Sequence, residues 1–144
     1  MRLTSLAAIL LLTAACSRDI GAPGDFTARG IEMVATVQSH TSAGDSVTIR
    51  ISNAGAQTEF FSRCGDGPLL LLQTFIDGQW TGGVQNFMCI APSAPGPVRL
   101  APGESVTIVR VFDVAGRYRF TTPAGEREDL SDATLAASNA FDIP

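Results

Sequence analysis

Residues 31–52, IEMVATVQSHTSAGDSVTIRIS, determine the class of fold. Apolar side chains occupy every second position of IEMVATV, and they do so again in SVTIRIS. Because successive side chains of a strand point to opposite faces, this period of two predicts two strands, each with one buried face. The intervening segment TSAGD, residues 41–45, carries turn-forming residues and predicts the connection between the strands.

Further segments of the same kind follow, separated by turn residues. QTEFFSR and LLLLQTFI are predicted as a third and a fourth strand, with the Gly/Pro-containing break at 65–68 between them. Asp77-Gly78 predicts a tight hairpin into QWTGGVQNFMCI. After a proline-rich loop, Pro102-Gly103 predicts a turn into SVTIVRVF, which VAGRYRF follows. TLAASNAFDI is predicted as an edge strand at the C-terminus.

The remaining segment, residues 123–133, is polar and acidic and predicts the loop of the last hairpin. Seven or eight short strands then occupy residues 31–144, with turns about every 8 to 12 residues. This pattern predicts an all-β fold, an antiparallel two-sheet sandwich. Residues 31–144 suffice for one domain with its own core, and not for two.

The N-terminus has a different character. Met1-Arg2 is followed by an apolar run, residues 3–15, which is too short to cross a bilayer as a helix of roughly 20 residues. A single positive charge before a short apolar run is typical of a cleaved secretion signal, predicted here as residues 1–15. The run ends at Cys16.

The residues before that cysteine, Leu12-Thr13-Ala14-Ala15, resemble the lipobox of bacterial lipoproteins. The departure is Thr13, which stands where the usual pattern has leucine. The resemblance implies a diacylglyceryl group on the Cys16 thiol and cleavage just before it. Several acyl chains, at about 0.8 kcal/mol per buried CH₂, give a lasting membrane anchor. The alternative is an ordinary secretion signal that leaves Cys16 as a free thiol.

The residue after Cys16 indicates which membrane of the cell envelope the protein would occupy. By the sorting rule of that family, an aspartate there would imply retention in the inner membrane, and this chain has Ser17. The resemblance therefore implies a lipid-anchored protein of the cell envelope, in the outer membrane and facing the periplasm. Residues 16–30 contain three Gly, one Pro and no apolar period, so they are predicted as a lipidated flexible tether.

Charge excludes one class of partner. The net charge is −4, with ten arginines, no lysine and fourteen acidic residues. Removal of the signal takes away Arg2 and leaves −5. No basic face of the kind that binds nucleic acid is present, and the arginines are scattered.

The two cysteines that remain after Cys16, Cys64 and Cys89, form an even pair in an oxidising compartment. They are predicted to form a disulfide. The alternative, a metal site, needs more ligands than this sequence provides, because His40 is its only histidine and is distant. No metal and no cofactor is expected.

Candidate catalytic groups have simpler explanations. His40 with Asp45 lacks a Gly-x-Ser-x-Gly nucleophile motif, so a solvated turn histidine is preferred. The acidic residues between Glu126 and Asp132 lack the order of a calcium loop, so a solvated acidic loop is preferred. No catalytic residue is assigned, and the protein is predicted not to be an enzyme.

The last part of the chain carries a family resemblance. LAPGESVT from Leu100, the pattern Asp113-x-x-Gly116-x-Tyr118-x-Phe120 and SNAFDI resemble the last three strands of bacterial immunoglobulin-like lipoprotein domains. The nearest named family is the BsuPI-like intracellular proteinase inhibitor domain. The resemblance implies an immunoglobulin-like sandwich in which Tyr118 forms a tyrosine corner. Phe120 stands where antibody domains have their second core cysteine.

Trp80, Phe87 and Met88 lie in the glycine-containing segment WTGGVQNFMC, which the disulfide would hold in place. Such aromatic residues on a stapled loop form a candidate recognition surface, and the alternative is that they fill the core. The predicted function is a lipid-anchored, non-catalytic binding domain with an unidentified protein partner. The alternative, which the resemblance implies, is a proteinase inhibitor that inserts the 82–99 loop into a protease.

Overall fold

A computed structural model of the chain describes residues 28–41, 44–84, 89 and 95–144. The predicted signal peptide, Cys16 and the tether before Ala28 lie outside these residues. The described chain begins with a 3₁₀ turn, Ala28–Gly30, and continues as strands. The strands are β1 (Ile31–Thr41), β2 (Gly44–Asn53), β3 (Glu59–Phe61), β4 (Arg63–Cys64), β5 (Gly67–Pro68), β6 (Leu71–Ile76), β7 (Gln79–Val84), β8 (Val98–Leu100), β9 (Ser105–Phe112), β10 (Gly116–Gly125), β11 (Thr134–Ala137) and β12 (Phe141–Ile143).

The first sheet has three antiparallel strands in the order β1-β2-β9. β1 and β2 form the long hairpin that the alternation predicts, starting with Ile31 opposite Asn53. The inward side chains of β2, Val47, Ile49 and Ile51, are fully buried. β9 pairs with the other side of β2, so β1 and β9 are the two edges of this sheet.

The second sheet has seven strands around β10. Tyr118 of β10 pairs with Thr74 of β6 and with Phe141 of β12, which places these two strands on opposite sides of β10. Further along, β3 continues on the side of β6 and β11 on the side of β12. β7 and β8 extend the sheet beyond β6 and β3. A separate two-stranded sheet, β4 with β5, lies between β3 and β6 in sequence.

One hydrophobic core fills the space between the large sheets. All of its described side chains lie between Ile31 and Ile143. Its centre is a cluster of rings whose centroids are 5.2 to 5.9 Å apart, contributed by Phe112, Tyr118, Phe120 and Phe141. Every core side chain that the structure describes therefore lies after residue 30.

The structure confirms the all-β, antiparallel, sandwich-like fold, and it divides the chain into more and shorter strands than the predicted seven or eight. The predicted C-terminal strand, TLAASNAFDI, shows why one predicted strand can become two. The Ser138 hydroxyl accepts the Phe120 amide proton at 3.0 Å, while the Ser138 amide donates to the Phe120 carbonyl at 2.9 Å. A side chain thus replaces a backbone carbonyl in the ladder, and TLAASNAFDI becomes β11 and β12.

Candidate functional site

The β6–β7 hairpin carries the described member of the predicted recognition loop, Trp80. The hairpin turns at Asp77 and Gly78, whose φ angles are 51° and 80°. A type I′ turn requires positive φ at both central residues and matches the twist of the strands it joins. The turn places Trp80 opposite Phe75, with ring centroids 5.1 Å apart and planes inclined by 58°. The predicted hairpin is confirmed.

Phe87 and Met88, the other two residues of that predicted surface, lie outside the described residues. Trp80 itself is half-buried and belongs to the outer face of the seven-stranded sheet, so it does not fill the core. Its indole Nε1 is buried and has no hydrogen-bond partner in the described part of the chain.

Two arginines of β10 share this outer face, because Tyr118 between them points into the core. The guanidinium carbon of Arg119 lies 4.4 Å from the centroid of the Trp80 ring. Its Nε donates a 2.7 Å hydrogen bond to the Gln73 side-chain oxygen. Arg117 lies over the neighbouring ring, with its guanidinium carbon 5.6 Å from the centroid of Phe75.

Gly82 explains how Arg119 reaches the indole. Arg119, Gln73 and Gly82 form one row across β10, β6 and β7. Because Gly82 has no side chain, nothing from β7 fills the space beside Trp80 in that row. A side chain is disfavoured there, since the φ angle is 92° and a Cβ would lie 3.1 Å from a backbone oxygen.

Phe75, Trp80, Arg117, Arg119 and Gln73 are called here the aromatic–arginine surface. Burial lowers the pKa of Arg119 from its ordinary value, yet a guanidinium stays charged at neutral pH. Arg117 is exposed and faces Asp142 of β12 in the strand register. The surface combines two charges held over aromatic rings with a side-chain amide.

The sequence prediction found Trp80 and missed the other four members. The signal that could have found the arginines is the alternation in GRYRF, because burial of Tyr118 and Phe120 puts Arg117 and Arg119 on the opposite face. Phe75 and Gln73 could have been found from the Asp77-Gly78 turn, which fixes their partners on β7.

The predicted disulfide is confirmed. Cys64 of β4 and Cys89 are bonded, with Cα atoms 4.9 Å apart and 25 residues of separation. The bond joins the segment that follows β7 to the small β4–β5 hairpin. Cys89 is exposed, so this connection lies at the surface.

Tyr118, predicted as a tyrosine corner, places its hydroxyl against the β9–β10 connection. The hydroxyl donates to the Val114 carbonyl at 3.0 Å, with the Ala115 carbonyl at 3.4 Å. Its ring packs against Phe112 and Phe141 in the core. The contact ties the start of β10 to the backbone four residues upstream.

The end of the predicted tether is held by the 126–133 loop. Arg29 donates from Nη1 to Asp132 Oδ2 at 2.5 Å. The same carboxylate accepts the backbone amides of Glu126 and Arg127, both at 3.2 Å. The pKa of Asp132 is lowered, mainly by the hydrogen bond from Arg29. Residues 28–30 are thus docked on the domain, although the sequence assigns them to the flexible tether.

Glu59 lies close to this cluster and is almost completely buried. Burial raises its pKa, the negative charges of Glu126 and Asp132 raise it further, and Arg29 opposes them. Its Oε2 has no hydrogen-bond partner among the described residues. A buried carboxylate without such a partner destabilises the fold when it is ionised.

The candidate catalytic and metal-binding residues form no centre that the structure describes. His40 and Asp45 are register partners across β1 and β2. In residues 28–41, 44–84, 89 and 95–144, no three His, Cys, Asp or Glu side chains are grouped so that they could hold a metal ion. No helix in this part of the chain has the length and apolar composition needed to cross a bilayer.

Comparison of the sequence with protein-family models gives no match, and comparison with curated proteins gives none either.

Proposed function

We propose that the protein is a lipid-anchored, non-catalytic lipoprotein of the bacterial cell envelope that binds a protein partner through the aromatic–arginine surface. The observation that carries the binding function is the pair of arginines held over Trp80 and Phe75 on the outer face of the seven-stranded sheet. The N-terminal pattern ending at Cys16 carries the anchor and the location in the outer membrane, facing the periplasm.

The chemistry of the surface supports binding to protein. Tryptophan and arginine are the residues most enriched where binding energy concentrates in protein–protein interfaces. Stacking on a ring holds a guanidinium in place, so that less side-chain entropy is lost when a partner binds. The surface is built on three paired strands, which keep its members in a fixed arrangement.

Binding is tested by cross-linking in intact cells. The wild-type protein is compared with Arg117→Ala, which removes an exposed guanidinium from the surface and leaves the core intact. Arg99→Ala is the matched control, since Arg99 is an exposed arginine on β8. The proposal expects a cross-linked species that Arg117→Ala reduces at least tenfold and Arg99→Ala leaves unchanged. Equal yields for the two variants would refute it.

The lipid anchor is tested separately, by measuring the mass of the mature protein and its fractionation with membranes. The mature wild-type protein should begin at Cys16, carry added acyl mass there and fractionate with membranes. Replacement of the thiol in Cys16→Ser should remove both the acyl mass and the membrane fractionation. An unmodified Cys16 in the soluble fraction would refute the anchor and leave the binding test intact.

Proteinase inhibition is a second candidate, favoured by the disulfide. The bond attaches exposed Cys89 to β4, so one point of the 82–99 loop is fixed at the surface. Fixing a loop in one conformation is what an inhibitor needs in order to bind a protease without a large entropy loss. Titration against serine proteases and metalloproteases should then give stoichiometric inhibition, and reduction of the disulfide should weaken it. No inhibition at micromolar concentration would exclude this candidate.

A further inference from the structure

We infer that the outer face of the three-stranded sheet is a self-association surface, which binds the same face of a second copy of this chain. The face consists of the side chains of β1, β2 and β9 that point away from the core. The strand registers bring its central members together in rows: Val34, Arg50 and Thr107, then Thr36, Thr48 and Val109, with Ser46 and Val111 beyond them.

Exposed valines of β1 and β9 flank the polar middle strand β2 on this face. Val34, Val109 and Val111 are 51%, 53% and 56% exposed, and each lies on an edge strand opposite a residue of β2. The threonines add methyl groups beside them. These side chains are all β-branched, so their χ1 angles are already restricted and binding costs little side-chain entropy.

The charges on this face favour a second copy as the occupant. Among its described side chains only Glu32 and Arg50 are charged, and they have opposite signs. The face is therefore neutral in a chain whose net charge is −4, so two copies can approach here with the least repulsion. Glu32 and Arg50 lie in adjacent rows of neighbouring strands. A twofold arrangement can bring each Arg50 close to Glu32 of the second copy.

The size of the face predicts the strength of pairing. Three strands of about eight residues cover roughly 14 by 27 Å, or about 400 Å² on each copy. The total of about 800 Å² lies below the roughly 1,200 Å² at which stable specific interfaces begin, so pairing is weak and we expect a dissociation constant of about 0.1 to 1 mM in solution.

Anchoring would raise the population of pairs, and this step rests on the proposed lipid anchor. Residues 17–27, the predicted tether without its docked end, would span about 18 Å on average as a flexible chain, which keeps the domains in one layer at the membrane. Confinement of this kind gives effective concentrations in the millimolar range. A twofold axis parallel to the strands leaves both copies of Ile31 at the same end, so both tethers can reach one membrane.

The solution experiment uses the chain from Ser17 onward, which contains the whole described core and needs no acylation. Sedimentation equilibrium from 0.05 to about 1 mM should show a mass that rises towards the dimer. Val109→Arg should lower the association constant at least tenfold. Val114→Arg is the matched control, because Val114 is 62% exposed and lies off the face, in the β9–β10 connection; it should stay within twofold of wild type. A chain that is monomeric at 1 mM, or equal effects of the two variants, overturns the inference.

Exchange of the charges at Glu32 and Arg50 distinguishes a loss of association from a loss of the fold. Glu32→Arg and Arg50→Glu should each weaken association, and the double variant should restore it, because each copy then again presents one acid and one base. Circular dichroism should show the same sheet signal for all three. Failure of the double variant to recover, with its fold intact, contradicts the twofold contact between these residues.

Discussion

The side-chain amide of Asn139 pairs with the backbone of Ala35 as a neighbouring strand would. Its Nδ2 donates to the Ala35 carbonyl at 2.9 Å, and its Oδ1 accepts the Ala35 amide proton at 2.8 Å. β1 is an edge strand of the first sheet, and Asn139 lies between β11 and β12 of the second. The two bonds therefore connect the sheets and satisfy polar groups on an open edge.

Asn139→Ala should destabilise the domain by about 1 to 3 kcal/mol, because it leaves a backbone donor and acceptor of β1 without their partners. Urea denaturation of the chain from Ser17 onward measures the change. Asp142→Ala is the control, since this exposed side chain lies three residues away. Similar losses for the two variants would show that the Asn139 amide contributes nothing specific.

The sequence could not predict this contact. Asn139 and Ala35 are 104 residues apart, and a single asparagine between two short strands carries no periodic signal. The strands themselves were predictable because burial of one face imposes a period of two. Contacts between the sheets depend on how the sheets face each other, which alternation along one strand does not determine.

Glu59→Gln should stabilise the domain at neutral pH. Because the folded pKa of Glu59 lies above its unfolded value, the unfolded chain releases this proton at lower pH than the folded chain. Stability therefore falls as pH rises from about 4.3 through the folded pKa, and the loss persists above it. A neutral amide removes this loss, so the variant should be more stable than the wild-type protein at pH 7.

Denaturation between pH 3 and pH 8 tests this prediction. The advantage of Glu59→Gln should disappear below about pH 4, where the carboxyl group is protonated in both states. Glu128→Gln, a change at an exposed position in the 126–133 loop, should show no such dependence. A constant difference at every pH would mean that packing, and not ionisation, is responsible.

Asp132→Asn should release the docked end of the tether. The substitution removes the charge that holds the Arg29 guanidinium and weakens the acceptor for two loop amides. Trypsin cleaves after arginine, so cleavage between Arg29 and Gly30 should become several-fold faster. Asp129→Asn is the matched control, because Asp129 bonds Arg127 and Ser131 within the same loop and does not contact Arg29. Faster cleavage in both variants would point to general loosening of the loop.

Loss of the Cys64–Cys89 bond should destabilise the domain by about 3.5 kcal/mol, the chain-entropy value for a loop of 25 residues. The double variant Cys64→Ala/Cys89→Ala, compared with reduced wild-type protein, measures it by denaturation. The two should agree within error, since both remove the same constraint on the unfolded chain. A double variant as stable as the oxidised protein would mean that the bond does not constrain unfolding.

The candidate site was only partly predictable, because alternation along one strand does not determine the order of the strands in a sheet. The pairing of Cys64 with Cys89 follows from counting, because two cysteines can pair in only one way once Cys16 is set aside. The position of Arg119 over Trp80 depends on the pairing of β10 with the β6–β7 hairpin, from which β8 and β9 separate it in the chain. Pattern within a strand predicts which face a residue occupies, and strand order decides which residues meet on that face.

Tyr118→Phe isolates the hydroxyl of the tyrosine corner. The variant keeps the ring contacts with Phe112 and Phe141 and loses the bond to the Val114 carbonyl. A single neutral hydrogen bond contributes about 1 kcal/mol, so thermal and urea denaturation should show a loss of that size. Tyr118→Ala also removes the ring and should cost about 3 to 5 kcal/mol. If the phenylalanine variant were as stable as wild type, the hydroxyl bond would add nothing, and the ring alone would account for the contribution of this tyrosine.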